Sequence, residues 1–258
     1  MKNSLLPDFS SSNTPLHKQT KKILSFLEQN KIRPKLLLHA CCAPCSSYVI
    51  EYLSNYFDIT IFYYNPNIFP PEEYKRRLCE LENFLPGFEI AQKNHIKLVK
   101  ACYEPQEFYD AIDIKNHPEF AVEKEKGERC KRCYEVRLKK SYLYAKENNF
   151  DYLCTTLSIS PFKDAQKINL IGKNLCQQFE LEENQKGGES QNTNSVNPKW
   201  LPSDFKKNGG FERSLELSRE YGLYRQQYCG CMFSKQNTER ERLAAEEKKL
   251  KQENYDRT

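Results

Sequence analysis

Seven of the eleven cysteines in this 258-residue chain fall into three short groups. Thiolates are ligands of zinc and of iron–sulfur clusters, and closely spaced thiols also undergo disulfide exchange. The pattern therefore predicts a metal centre together with redox chemistry. The groups are Cys41-Cys42-x-x-Cys45, Cys130-x-x-Cys133 and Cys229-Gly230-Cys231.

The first two groups suit one metal centre. Cys130 and Cys133 open a predicted helix, where residues three apart share a face and thiolates are favoured by the free N–H groups. The first group lies at a predicted strand-to-helix turn. Four thiolates from two segments satisfy the ligand count of an iron–sulfur cluster or of a zinc site. Zinc ribbons usually place both pairs on hairpin turns, so a strand end and a helix start favour the cluster.

The third group suits a redox dithiol. Cys229 and Cys231 flank one small residue, so they can close a tight, strained disulfide that is easily reduced. A further pair of metal ligands is the alternative. Cys45 is either a spare ligand or a thiol facing its own helix. The remaining cysteines are predicted to be small core residues; they are Cys79, Cys102, Cys154 and Cys176.

Apolar runs alternate with amphipathic stretches, which predicts an α/β fold: a mainly parallel, Rossmann-like sheet flanked by helices, with a helical C-terminal extension. Ligands of such sheets bind beyond the carboxyl ends of the strands, where the first cysteine group, Asn65 and Thr155-Thr156 fall. Predicted strands are 35–39, 59–64, 96–101 and 151–155. Predicted helices are 16–29, one following Pro44, 72–84, 104–122 with an interruption at Pro118, 131–148, 164–178 and 211–221.

Composition limits the location and the partners. The net charge is +5, which permits a nucleic-acid partner. No apolar run approaches the roughly 18 residues of a membrane helix, and the first fifteen residues lack the apolar segment of a signal peptide. These features predict a cytoplasmic protein without a membrane partner. Structural disulfides are not expected in the reducing cytoplasm. Arg76-Arg77 is interpreted as a solvated helix face that is able to touch phosphate, and His39 as a hydrogen-bonded structural residue.

Together these motifs resemble one family, the QueH-type epoxyqueuosine reductases. The resemblance spans about residues 35 to 235, in one order. It rests on Leu37-Leu-His-Ala-Cys-Cys-Ala-Pro-Cys45, Tyr64-Asn-Pro-Asn-Ile68 with Glu73-Tyr74 and Arg76-Arg77, Arg129-Cys-Lys-Arg-Cys133 with Arg137-Leu138, Thr155-Thr-Leu-Ser158 with Ser160-Pro161 and Lys163, and Gly222-Leu-Tyr-Arg-Gln-Gln-Tyr-Cys-Gly-Cys231.

The resemblance implies the last step of queuosine synthesis, in which the epoxide oxygen of epoxyqueuosine at the tRNA wobble position is removed. It implies a redox-active pair at Cys229 and Cys231, and an electron donor that the sequence does not identify. The sequence does not decide whether an additional mononuclear metal is bound near the cluster. The implied ligands of a [4Fe–4S] cluster are Cys41, Cys42, Cys130 and Cys133. Aromatic candidates for stacking on the base in the single-stranded loop are Tyr63, Tyr64, Tyr224 and Tyr228.

The expected organisation has three parts. Residues 1–34 form a loose N-terminal segment with a short helix, 35–233 form the α/β catalytic domain, and 234–258 form a charged helical tail. A flexible polar insertion occupies about 182–197. Two rival functions remain: a zinc-stabilised tRNA-binding module without redox activity, and a tRNA-thiolating or ATP-using enzyme on a similar α/β sheet. The second needs a phosphate-binding loop, and the sequence contains no such motif.

Overall fold

A parallel five-stranded sheet forms the centre of the computed structural model, which describes residues 14–186 and 197–255. Its strand order is β3-β2-β1-β4-β5, and every neighbouring pair is parallel. The α/β prediction is therefore confirmed. The strands are β1 (Lys35–Ala40), β2 (Asp58–Tyr63), β3 (Lys97–Lys100), β4 (Tyr152–Thr155) and β5 (Lys199–Trp200).

The central strand β1 is apolar along nearly its whole length because helices cover both faces of the sheet. Its residues from Leu36 to Ala40 are buried, which is typical of a strand inside a parallel sheet. Leu37 pairs with Thr60 of β2 on one side and with Leu153 of β4 on the other. The chain order reverses between β1 and β4, so the carboxyl ends of these two strands border the crevice where such sheets bind ligands.

Helices pack on both faces of the sheet. Leu36 and Leu38 face a core shared with α1, α2, α3 and α8, whereas Leu37 faces a second core shared with α6 and α7. The helices are α1 (Leu16–Gln29), α2 (Ala43–Leu53), α3 (Pro71–Gly87), α4 (Glu89–Lys93), α5 (Pro105–Ile112), α6 (Glu128–Glu147), α7 (Ala165–Lys186), α8 (Gly210–Glu220) and α9 (Met232–Tyr255).

The C-terminal helix α9 packs against the rest of the protein at its start. Phe233 in its first turn is buried against Phe108 of α5, in a small core that also contains Cys133 and Cys231. Residues 241–249 of the same helix are exposed. The predicted helical extension is thus confirmed, and its first turn lies close to two of the cysteine groups.

Several details differ from the expectation. Helix α7 continues to Lys186, so the first residues of the predicted insertion at 182–197 are helical. Residues 187–196 of that insertion, and residues 1–13 of the predicted loose N-terminal segment, lie outside the described residues. The short edge strand β5 was not predicted, because two residues are too few to show a pattern. The helix predicted over 104–122 ends at Ile112, because the next residue, Asp113, has a left-handed φ of 52°, and a separate 3₁₀ turn covers Pro118–Ala121.

Within residues 14–186 and 197–255, no helix combines the length and the apolar character needed to cross a membrane. The cytoplasmic location stays a prediction.

Candidate metal and dithiol site

The first cysteine group forms a tight trio of thiols at the turn between β1 and α2. The Sγ atoms of Cys41, Cys42 and Cys45 all lie within 4.8 Å of one another, and those of Cys41 and Cys42 are 3.7 Å apart. Strand β1 ends at Ala40, and Pro44 lies in the first turn of α2, where its missing N–H is not needed. The trio therefore lies at the carboxyl edge of the central strand.

The second group lies in the first turn of α6. The Glu123 carboxylate accepts the backbone N–H groups of Glu128 and Arg129, at 2.7 and 2.8 Å, and so starts the helix directly before Cys130. Cys130 packs in the same core as Cys41 and Cys42, while Cys133 packs beside Cys231. Neither is part of the 4.8 Å trio.

The third group lies in the loop between α8 and α9, which is held against α3. Gly230 has a φ of +137°, and a Cβ there would lie only 3.2 Å from atoms of both Asn67 and Ile68. Buried Arg77 of α3 donates hydrogen bonds to the carbonyl oxygens of Cys229 and Tyr228, at 3.2 and 3.3 Å. Glycine is therefore required between the two cysteines.

Buried cations surround these thiols. The Lys163 ammonium donates a hydrogen bond to Cys229 Sγ at 3.0 Å, and Arg137 interacts with the Cys133 thiol. Both cations also act electrostatically on Cys41. Lys163 is 7% exposed and Arg137 1%. Cationic side chains in this position offset the negative charge that a set of thiolates brings into a protein interior.

The trio shares its negative charge unequally. Hydrogen bonds from Cys42 and Cys45 hold the pKa of Cys41 well below its usual range, and the hydrogen bond to Cys41 raises the pKa of Cys42 to about 12. Burial raises the pKa of Cys130 to about 11. The three thiols are therefore not equivalent, and Cys41 is the one for which the trio favours the thiolate, the form in which sulfur binds metals.

A cavity of about 520 Å³ opens beside the thiols. Its wall includes Cys41 and Cys45 of the trio, Cys229 of the third group, and Lys163. Aromatic side chains also line it, among them Tyr228 and Phe162, and Phe162 is 70% exposed. A ligand in this cavity can therefore meet two of the three cysteine groups at once.

Several expected roles are wrong. Tyr63 and Tyr64 are buried core residues, so neither is available to stack on a base. Arg77 is fully buried rather than part of a solvated face, because it forms an ion pair with Glu73 at 2.7 Å and holds the Cys229 loop. Of the cysteines predicted to lie in the core, Cys79 and Cys102 are exposed and Cys176 is half-buried, whereas Cys154 is buried as predicted.

Two other expectations hold. His39 is fully buried, and its ring nitrogens make hydrogen bonds with Thr155 Oγ1 at 2.8 Å and with the Tyr64 carbonyl oxygen at 3.1 Å. Burial, with the charge of Arg137, lowers the pKa of His39 to about 3, in keeping with a structural role for a neutral ring. Arg76 is exposed, and its guanidinium lies 3.3 Å from the centroid of the Tyr224 ring.

The contacts made by Lys163 and Gln226 had not been expected from the sequence. Both appear there only as members of longer motifs. The structure places Lys163 on Cys229, and the Gln226 side-chain amide 3.2 Å from Cys42 Sγ. A single lysine looks like any of the forty lysines and arginines of this chain. No spacing marks it, because its partner is distant in sequence.

Comparison with known proteins identifies the relatives of this chain. A model of the family "Epoxyqueuosine reductase QueH" matches residues 36–237. The protein of that name from Staphylococcus epidermidis is 39% identical over 90% of this chain and 89% of the relative. Its namesake from Staphylococcus aureus is 41% identical over 84% of this chain and 82% of the relative. A more distant namesake, from Thermotoga maritima, is 29% identical over 77% of this chain and 89% of the relative.

The matched range contains all three cysteine groups and the buried cations. It also contains every residue that lines the cavity except Thr238 and Glu241. The two staphylococcal relatives, at 39% and 41% identity over most of both chains, establish the family. The protein belongs to the epoxyqueuosine reductase QueH family.

Proposed function

We propose that this protein removes the epoxide oxygen of epoxyqueuosine at the wobble position of tRNA and so produces queuosine. The observation that supports this most directly is the cavity, whose wall holds thiols of the trio, Cys229 and the Lys163 ammonium together. The names of its relatives supply the reaction. The cavity supplies a place where an extruded base would meet redox-capable sulfur.

The proposed cofactor is a [4Fe–4S] cluster held by Cys41, Cys42, Cys130 and Cys133. The donor set fits, because these four thiols are buried and Arg137 and Lys163 lie close enough to offset their charge. When bound, such a cluster supplies single electrons, and an iron with an open position acts as a Lewis acid. Cys45 completes the observed trio and is the natural ligand for an additional mononuclear metal.

The proposed role of Cys229 and Cys231 is to supply two electrons and two protons. Loss of an epoxide oxygen as water leaves a carbon–carbon double bond and consumes that number of each. Oxidation of the two thiols to one disulfide provides both. The dithiol is then regenerated by an electron donor, which the resemblance implies but does not name.

The proposed path of the substrate leads through the mouth of the cavity. The wobble nucleotide lies in a single-stranded loop, so it can be splayed out and stacked on an aromatic side chain. Tyr228 and Phe162 line the cavity and are suited to this, and the Tyr228 hydroxyl is fixed by a 2.6 Å hydrogen bond to the Phe69 carbonyl oxygen. Phe162 stands at the rim, where it can meet the base first.

The test is the double variant Cys229→Ser/Cys231→Ser. We expect it to keep its iron and to bind tRNA, yet to form no queuosine. Serine retains the shape of the loop, but its hydroxyl cannot be oxidised to a disulfide and so supplies no electrons to the substrate. Nucleosides from epoxyqueuosine-containing tRNA are identified by mass spectrometry, beside the iron content of the same sample.

The matched control is Cys79→Ser/Cys102→Ser, which removes two exposed thiols and should leave conversion unchanged. Loss of iron from the Cys229/Cys231 variant would make the pair metal ligands. Retention of both iron and conversion would make the pair structural. Either result contradicts the proposed division of roles.

A further inference from the structure

The two thiols of the third cysteine group lie in different surroundings. Cys229 is half-buried and forms part of the cavity wall. Cys231 is 6% exposed, packs among Phe108, Ile112 and Phe233, and is not one of the residues that line the cavity. Its Sγ accepts the backbone N–H of Ser234 at 3.4 Å. A molecule entering the cavity therefore reaches one sulfur of the pair and not the other.

The accessible sulfur is also the one that contacts a cation. An ammonium group only donates hydrogen bonds, so at 3.0 Å Cys229 Sγ is the acceptor from Lys163. Burial opposes the charge on Lys163, but the Cys229 sulfur beside it holds the pKa of the ammonium well above its usual value. Cys229 Sγ is therefore held in a charge-assisted hydrogen bond from a buried ammonium.

Cys231 has the opposite character. Cys231 is buried among Phe108, Ile112 and Phe233, an apolar environment in which a thiol is less reactive. Since the thiolate is the nucleophile in disulfide exchange, the two cysteines are not equivalent in reactivity.

We infer that Cys229 is the exchange thiol of the pair, that Lys163 maintains its reactivity, and that the pair is reduced by a thiol compound which enters through the cavity and attacks Cys229. The inference rests on the proposed redox role of the pair. It assigns Lys163 as a catalytic residue, since its ammonium touches the reacting sulfur. It also gives the unidentified electron donor a chemical class.

The exchange balances in two steps. A thiolate of the donor attacks Cys229 Sγ of the enzyme disulfide, the S–S bond breaks, and Cys231 leaves with the electron pair and takes the proton released by the donor thiol. A second thiol of the donor, as its thiolate, then attacks the donor sulfur of the mixed disulfide. The bond to Cys229 breaks, and Cys229 leaves with the electron pair beside the Lys163 ammonium and takes the proton released by the second donor thiol. The donor becomes a disulfide and the enzyme a dithiol.

The experiment follows the first exchange in the opposite direction, with glutathione disulfide as the probe. Full-length protein is reduced, purified anaerobically and mixed with the probe; the reaction is stopped with acid and the cysteine peptides are measured by mass spectrometry. In Cys231→Ser protein we expect glutathione to accumulate on Cys229. In Cys229→Ser protein we expect Cys231 to be modified at least tenfold more slowly, because it is buried.

Variants of Lys163 in the Cys231→Ser background test the cation. Lys163→Met should slow modification of Cys229 by about tenfold, and Lys163→Arg should restore most of the rate. The matched control is Lys126→Met, which removes an exposed ammonium that contacts only the Pro161 carbonyl oxygen among the contacts observed for it. It should react like the parent protein. Iron content and circular dichroism of each sample check the fold.

The inference is overturned if Cys231 captures the probe as fast as Cys229, or if Lys163→Met reacts at the rate of Lys126→Met. The comparison between Cys229 and Cys231 needs no Lys163 variant, so it tests the inference even if Lys163→Met protein fails to fold. Conversion of epoxyqueuosine by the parent protein is measured alongside. If the parent protein converts epoxyqueuosine but both cysteines capture the probe equally fast, only the inference is contradicted. If capture is selective for Cys229 but the parent protein converts no epoxyqueuosine, the proposed function is contradicted.

Discussion

At the scale of single residues, charge compensation marks this site more clearly than the cysteines alone. Lys163, Arg77 and Arg137 are buried charges, and such residues seldom lie in a protein interior without a partner. Lys163 and Arg137 lie beside sulfur, and Arg77 holds the loop that contains Cys229. The cysteine spacing was readable from the sequence, but these partners were not, because each pair is joined only by the fold.

The cluster ligands can be tested one cysteine at a time. Cys41→Ala or Cys133→Ala should abolish the brown colour and most of the iron of anaerobically purified protein, because each removes one of four proposed ligands. The parent protein should hold about four irons in its cluster. Visible absorption spectra and iron analysis provide the measurement.

Two controls define this result. Cys176→Ala, a half-buried thiol outside the three groups, should keep the colour. Cys45→Ala should keep the cluster iron and lose only an additional metal. Stoichiometric zinc with no iron in the parent protein, even after reconstitution, would favour the zinc-stabilised tRNA-binding module instead.

Gly230 is the residue whose replacement should damage the dithiol most directly. Gly230→Ala adds a Cβ 3.2 Å from Asn67 and Ile68 at a φ of +137°, so we expect about 2 kcal/mol of destabilisation and a displaced Cys229 loop. Urea unfolding gives the free energy. Gly222→Ala is the matched control: its φ of +60° is also positive, but its Cβ meets nothing within 4 Å, and a loss of about 1 kcal/mol is expected. Equal losses would contradict the steric argument.

At the scale of elements, the sequence predicted the regular part of the site and missed what holds it together. Helix α1 was predicted with the bounds the structure has, and β1, β2 and β4 to within one residue at either end, because their apolar patterns are local. The loop between α8 and α9 has no such pattern. Its position depends on Arg77 of α3, which in the sequence looks like one member of an ordinary exposed pair.

Arg77 should therefore behave as a connection between elements rather than as a surface charge. Arg77→Met leaves Glu73 buried without its 2.7 Å partner and removes both hydrogen bonds to the loop, so we expect a loss of about 3 kcal/mol of stability. Arg76→Met, one residue away and exposed, should change the unfolding free energy by no more than about 0.5 kcal/mol. Urea unfolding compares the two. Similar losses would mean that the burial of Arg77 is not what stabilises the loop.

At the scale of the whole molecule, the mild positive charge suits a partner bound through phosphates. The affinity for tRNA should fall as salt rises, with a linear dependence of log affinity on log salt, because phosphate contacts release counterions. Arg76→Ala should flatten that slope by about one unit, since Arg76 is the exposed member of its pair and stacks on Tyr224 near the loop. Filter binding or fluorescence anisotropy at several salt concentrations supplies the slopes.

Lys31→Ala is the control for this measurement. Lys31 is exposed and precedes β1, at the amino edge of the sheet, opposite the cavity. Its removal should leave the slope unchanged. A binding constant that does not vary with salt would mean that phosphate contacts contribute nothing to binding. An equal change of slope in Arg76→Ala and Lys31→Ala would mean that only the net charge matters and that Arg76 makes no specific phosphate contact.

The proposed ligands of the cluster come from the turn after β1 and from the first turn of α6, which meet only when the sheet has formed between them. During synthesis, the trio leaves the ribosome long before Cys130 and Cys133. A complete set of proposed ligands then exists only in a folded chain, so we expect the cluster to be acquired late in the life of the protein. In a bacterial culture, the brown colour of the expressed protein would report correct folding, and a pale but abundant product would reveal a sheet that had not closed.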